Sequence, residues 1–141
     1  YANRLLNDGM KIEGIDKIQN ALSKAIDKGE DNLIVAMGVV LCGIFMSEGN
    51  WSQATAVSIA VEQAALRRRN WVGLACGRMM RSGCRFNAGQ EKEAIQLLYT
   101  TGNDLIEVGA VAALNCIKAR LIELNLQIGE ERFNLLCQSL N

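Results

Sequence analysis

Histidine and proline are absent from the 141 residues of this chain. Without histidine the chain has no Ser-His or Cys-His catalytic pair, no imidazole metal ligand and no histidine switch near neutral pH. Without proline it lacks the residue that most strongly breaks helices. Aromatic residues make up only 5% of the chain, which argues against the core of a β-sandwich or barrel. The net charge is zero, so a dedicated nucleic-acid-binding domain, which is usually basic, is not expected.

The cysteines and the hydrophobic runs bear on the compartment. None of the five cysteines forms a C-x-x-C pair, and their neighbours are mostly small or apolar, as expected for buried residues in a reducing cytosol. Cys84, between Arg81 and Arg85, is the one candidate for a reactive thiol. The longest uncharged apolar run, 33–46, is shorter than the ~20 residues that span a bilayer. We therefore expect a cytoplasmic protein without membrane contact. Because the sequence opens at Tyr1 rather than Met, we also expect a segment of a longer chain.

Glycines recur at a spacing of forty residues. In the first three of the four units, a small residue follows the glycine five positions later, whereas the fourth unit has Asn134 there. Small side chains allow two helices to approach closely, so we predict that these residues pack repeat units together. The predicted packing residues are Gly9, Gly14, Gly49, Ala54, Gly89, Ala94 and Gly129.

Apolar residues at helical spacing, separated by short Gly/Asn/Asp turns, predict seven helices. No stretch alternates with period two, so no sheet is expected. The first helix ends at Lys28, and the others cover about 31–47, 50–69, 71–87, 90–101, 104–127 and 130–140. The fifth helix is predicted to end at Gly102, and Asp104 with Glu107 is predicted to form a capping box for the sixth. The corresponding units of one domain, 1–141, are about 1–29, 30–69, 70–102 and 103–141.

The runs 9–22 and 89–98 resemble the second half of a tetratricopeptide repeat, and Leu41-Cys42-x2-Phe45 resembles its first helix. A forty-residue unit exceeds the usual 34 and is more similar to the helix-pair repeats of maltose-activator-type bacterial regulators. The phrase 21–29, of the form A-L-x2-A-x3-G, is of that kind. The resemblance implies an all-α fold, a right-handed superhelical stack of antiparallel helix hairpins. It also implies a protein-interaction scaffold within a larger regulatory protein, such as a transcriptional regulator.

Arginines are concentrated between positions 62 and 85, where six arginines accompany one acid. Two interpretations stay open. Either the arginines complement helix dipoles or pair with acids of a neighbouring helix, or they form a contact surface for an acidic protein or peptide. Phosphate or nucleic acid is a lesser version of the second interpretation. The candidate partner-binding residues are Arg67, Arg68, Arg69, Trp71, Arg78, Arg81 and Arg85.

No residue pattern indicates catalysis. The paired acids Glu91 and Glu93 fall in a first helical turn, where they complement the helix dipole. No glycine loop of the phosphate-binding type is present. We therefore expect no enzyme, no metal and no cofactor. Besides the scaffold, the sequence leaves open a secretion-type chaperone or adaptor that shields a client helix, a domain that senses a small effector ligand, and self-association.

Overall fold

The computed structural model describes the backbone of residues 2–140 and the side chains of residues 11–140. The described residues contain helices and no strand, so the all-α prediction is confirmed. The helices are α1 (Ala2–Lys28), α2 (Asp31–Ser47), α3 (Trp51–Arg67), α4 (Trp71–Asn87), α5 (Glu91–Val108), α6 (Val111–Ile128) and α7 (Glu130–Gln138).

The five turns between α1 and α6 have the same conformation and recur every twenty residues. Each contains a residue with left-handed backbone, with φ between 51° and 82°. In the turn after α2, the amide of Gly49 donates to the carbonyl of Met46 (3.1 Å), and the amide of Asn50 donates to that of Phe45 (2.8 Å). This pair of bonds defines the Schellman motif, and all five turns contain it. The left-handed residues are Gly29, Gly49, Arg69, Gly89 and Gly109. Gly49 and Gly89 of the forty-residue glycine series thus occupy every second turn of a repeat whose turns are twenty residues apart.

Consecutive helices pack against each other, and the even-numbered helices also pack in series, α2 on α4 and α4 on α6. Among the described residues, no Cα atoms of α1 and α3, or of α3 and α5, lie within 8 Å of each other. The even helices therefore form a continuous layer, while the first three odd helices are separated above it. This arrangement is consistent with an α-solenoid. Two apolar clusters fill it, one centred on Leu22, Ile34, Leu41 and Phe45, the other on Ile95, Leu98, Ile117 and Leu124.

Ala54 and Ala94 are fully buried at equivalent places. The thiol of Cys42 donates to the carbonyl of Ala54 (3.3 Å), and forty residues later the hydroxyl of Ser82 donates to the carbonyl of Ala94 (2.9 Å). A longer side chain at either alanine would push the helices apart. The repeat is therefore visible in individual hydrogen bonds as well as in turns.

The glycines predicted to pack the units lie in different environments. Gly49 and Gly89 occupy left-handed turns, and Gly129 separates α6 from α7 at φ 94°. Gly9 lies inside α1, so no turn interrupts the helix there. A Cβ added at Gly14 would meet nothing within 4 Å, so no neighbouring helix requires its small size.

The predicted end of the fifth helix at Gly102 is wrong, because α5 continues to Val108. Asp104 and Glu107 lie inside α5 and do not begin a helix, and the predicted boundary at 102/103 therefore divides a continuous helix. The physical reason is the burial of Leu105, which is 1% exposed in the second core and needs the helix to continue. The chain turns at Gly109, with φ 71°.

Candidate functional site

Glu62 gathers two of the predicted arginines. Its side chain is 7% exposed. Arg81 donates a hydrogen bond from Nε to Oε2 and another from Nη2 to Oε1 of Glu62, both at 2.8 Å. The Nε of Arg78 also contacts Glu62, while its Nη1 donates to Thr101 Oγ1 at 3.2 Å. Because Glu62 lies on α3, the two arginines on α4 and Thr101 on α5, the cluster ties three helices together. For Arg78 and Arg81, the structure therefore agrees with the interpretation that arginines pair with an acid on a neighbouring helix.

Asp31 gathers two more arginines. Arg67 reaches its Oδ1 with Nε and Nη2, both at 2.9 Å, and Arg68 Nε lies 3.5 Å from Oδ2. Asp31 is the first residue of α2 and Arg67 the last of α3, so each charge also complements its own helix dipole. Both arginine side chains are more than half exposed, so these ion pairs contribute little to stability. Their guanidinium groups remain accessible to a partner.

The other three predicted residues belong to neither cluster, and two of them, Arg69 and Trp71, line one cavity at the turn between α3 and α4. Arg69 is exposed in its left-handed turn, and Trp71 is half-buried against the second apolar cluster. Arg85 is half-buried, and no ion pair of its guanidinium occurs among the described side chains. The structure thus divides the predicted arginine surface into two acid-centred clusters, the turn that carries Arg69 and Trp71, and Arg85, and does not form one basic patch.

The residues forty positions earlier in the sequence occupy the equivalent places of the preceding repeat. Glu62, Arg78, Arg81 and Thr101 of the cluster correspond to Leu22, Gly38, Leu41 and Val61 in that repeat. A Cβ on Gly38 would clash with Val61, at the place where Arg78 bonds Thr101 in the later repeat. Positions forty residues apart thus carry hydrocarbon in one repeat and an ion pair network in the next.

An apolar groove lies between α1 and α3, with α2 as its floor. It consists of two adjacent cavities of about 280 and 420 Å³ that share Ile26. Ile26 is 48% exposed although it faces other apolar residues. Arg67 and Asp31 line the groove at one end. Polar side chains of Gln19, Ser23, Gln53 and Gln63 also line it. The other apolar lining residues are Leu22 from α1, Ile34, Leu41 and Phe45 from α2, and Ala56, Val57 and Ala60 from α3.

This groove is a feature that the sequence did not predict. Its lining residues have the helical spacing of any buried stripe, and that spacing predicts core. The signal that could have found the groove is the small size of Ala56 and Ala60, which leave space between α1 and α3.

Burial determines the pKa and the accessibility of three of the cysteine thiols. Burial, and secondarily the nearby Cys84, raises the pKa of Cys42 to about 12, and burial next to Cys116 raises the pKa of Cys76. Cys84 is 3% exposed within the first cluster, so a reagent has no open path to it in the folded protein.

The described side chains contain no group of three His, Cys, Asp or Glu residues that converge on a metal position. No described helix combines the length and apolar character needed to cross a bilayer.

No protein-family model matches the chain, and no curated protein or solved structure is significantly similar to it. The class of protein is therefore defined by the architecture alone: an all-helical repeat of twenty-residue units, carrying an apolar groove and two arginine-carboxylate clusters.

Proposed function

We propose that the chain is a protein-interaction scaffold that binds a helical segment of a partner in the groove between α1 and α3. The observation that carries the proposal is the separation of these helices above α2, which leaves a cavity lined by the exposed Ile26 and by the buried side chains of Leu22 and Phe45. Apolar grooves on helical proteins commonly receive the apolar face of an amphipathic helix. In this proposal the units are antiparallel hairpins in a right-handed superhelix.

The groove dimensions suit a short helix. Along α1 it extends from Gln19 to Gly29, and ten residues of helix rise about 15 Å. A ligand helix of two to three turns has the same length. The exposed guanidinium of Arg67 at one end favours a ligand with a carboxylate there, in exchange for part of its bond to Asp31.

The wider setting of the proposal is a regulatory protein, in which a partner or effector acts on this segment and another part of the protein responds. A chaperone or adaptor that shields a client helix would use the same groove, and its ligand would be the client. A small effector would fill only one of the two cavities, so the length of the ligand separates these functions.

The proposal is tested with a synthetic amphipathic peptide of about 14 residues, with leucines at i, i+4 and i+7 and a terminal glutamate. Isothermal titration calorimetry measures its Kd for the wild type and for Ile26→Glu and Ala56→Glu, one substitution on each wall. We expect each substitution to weaken binding at least about tenfold, or 1.4 kcal/mol. Ile12→Glu is the matched control, because Ile12 lies on α1, is 61% exposed and is not part of the groove.

A second comparison tests the charged end. Arg67→Glu should weaken binding of the glutamate peptide several-fold and leave its glutamine analogue almost unaffected. Equal Kd values for the wild type and both wall variants would refute the groove as the binding site.

A further inference from the structure

The outer face of α2 is apolar and uncovered. Residues 32–47 form the longest stretch of the sequence without a charged residue. Within it Leu33 is 40% and Val40 53% exposed, and Ala36, Gly43 and Ser47 on the same face are exposed too. A helix that is apolar all round is normally buried on every side. This face points away from the groove-lining residues Ile34, Leu41 and Phe45, so it is a separate surface.

We propose that α2 of a second copy of this chain covers the face, with the two α2 helices antiparallel about a two-fold axis at Val40. In that register residue n of one copy lies opposite residue 80 − n of the other. Large side chains then meet small ones: Leu33 faces Ser47, Met37 faces Gly43, and Ala36 faces Ile44. Such alternation allows two helices to interdigitate at close distance.

Gly43 supplies the space that this arrangement needs. A Cβ built on Gly43 meets no atom within 4 Å, so the space above it is open in the monomer. In this register it lies opposite Met37 of the second copy, a half-buried side chain at the edge of the face. The absence of charge on the face adds a selection against charged partners, because an unpaired charge buried there would have to be desolvated. A second α2 is uncharged over the same length and carries the complementary size pattern.

The test is a pair of charge variants at the two-fold axis. Sedimentation equilibrium over concentrations up to about 1 mM should show the wild type approaching twice its 15.4 kDa mass. Val40→Glu and Val40→Lys should each be monomeric, because each places two like charges at the axis. An equimolar mixture of the two variants should form dimers again, because opposite charges then meet.

Gly43→Leu is a variant that we expect to weaken the dimer without unfolding the monomer. It replaces a helical glycine whose side-chain position is open, so the monomer should gain stability, while the dimer loses the space for Met37. We expect at least a tenfold weaker dimer. Ile106→Glu, at a 59% exposed position on α5, and the groove variant Ile26→Glu should dimerise like the wild type. A monomeric wild type, unchanged association of Val40→Glu, or a mixture that stays monomeric would each overturn the antiparallel α2 dimer.

Discussion

Replacing Glu62 by glutamine should destabilise the protein more than its change of one atom suggests. Glu62 accepts two hydrogen bonds from Arg81 and an ion-pair contact from Arg78, and its side chain is 7% exposed. Arg78 and Arg81 are themselves only 17% and 20% exposed. Without the carboxylate, two guanidinium groups remain close together in a poorly hydrated place.

The magnitude follows from these contacts. Hydrogen bonds to charged groups contribute about 1.5–3 kcal/mol each, and removing one partner of a buried ion pair costs about 3–5 kcal/mol. Since the glutamine side chain would keep one acceptor oxygen and the arginines retain some water, we expect a loss of about 3 kcal/mol. Urea unfolding followed by circular dichroism at 222 nm measures it, with an unchanged m-value showing that the same surface unfolds. Glu123→Gln is the control, because its carboxylate is 65% exposed and pairs with Arg120 on the same helix.

Replacing the whole cluster by the apolar residues of the earlier repeat should restore the stability that Glu62→Gln loses. In the variant that combines Glu62→Leu, Arg78→Gly, Arg81→Leu and Thr101→Val, the cluster takes the residues found forty positions before. Exchanging a whole buried ion pair for well-packed apolar residues is often neutral or stabilising. We expect this variant to lie within about 1 kcal/mol of the wild type. A loss below about 1 kcal/mol in Glu62→Gln, or a combined variant less stable than Glu62→Gln, would refute this account of the cluster.

Three further predictions are checked with the same unfolding assay. Gly102→Ala should stabilise by about 1 kcal/mol, because Gly102 lies inside α5 and the new Cβ has neighbours at 3.7 Å; destabilisation would put a helix end there instead. Arg69→Gly should stabilise by about 0.5–1 kcal/mol by relieving a non-glycine residue at φ 51°, whereas Gly89→Ala, at φ 82°, should destabilise by about 1 kcal/mol. The pKa of Cys42 is raised from 9.0 to about 12, so the unfolded chain loses this proton first and the free energy of unfolding should fall as pH rises above 9. If a Cys42→Ala variant showed the same dependence of unfolding free energy on pH, the thiol would not be its source.

Local signals were sufficient for most of the helices. Gly29, Gly49 and Gly89 ended helices where the sequence indicated, since a left-handed turn favours glycine and the signal is contained in the residue itself. At Gly102 the same signal predicted a helix end that does not exist, because glycine also occurs inside helices. Only the burial of Leu105 in the second core shows that this helix continues. Arg69 was missed as a turn residue because it adopts a glycine conformation without being glycine.

The candidate site was likewise predicted only in part from the sequence. That arginines cluster between positions 62 and 85 is a property of the sequence, but their partners are distant in it: Asp31 lies 36 residues from Arg67, and Thr101 lies 23 residues from Arg78. The α1–α3 groove depends on the separation of two helices that are not consecutive, which no local pattern reports. The sequence by itself determined the all-helical class and the turns at Gly29, Gly49 and Gly89, because backbone preferences and helical periodicity act over a few residues. Only the tertiary structure decided which arginines are neutralised and which apolar residues stay open, because burial and charge pairing depend on which helices meet.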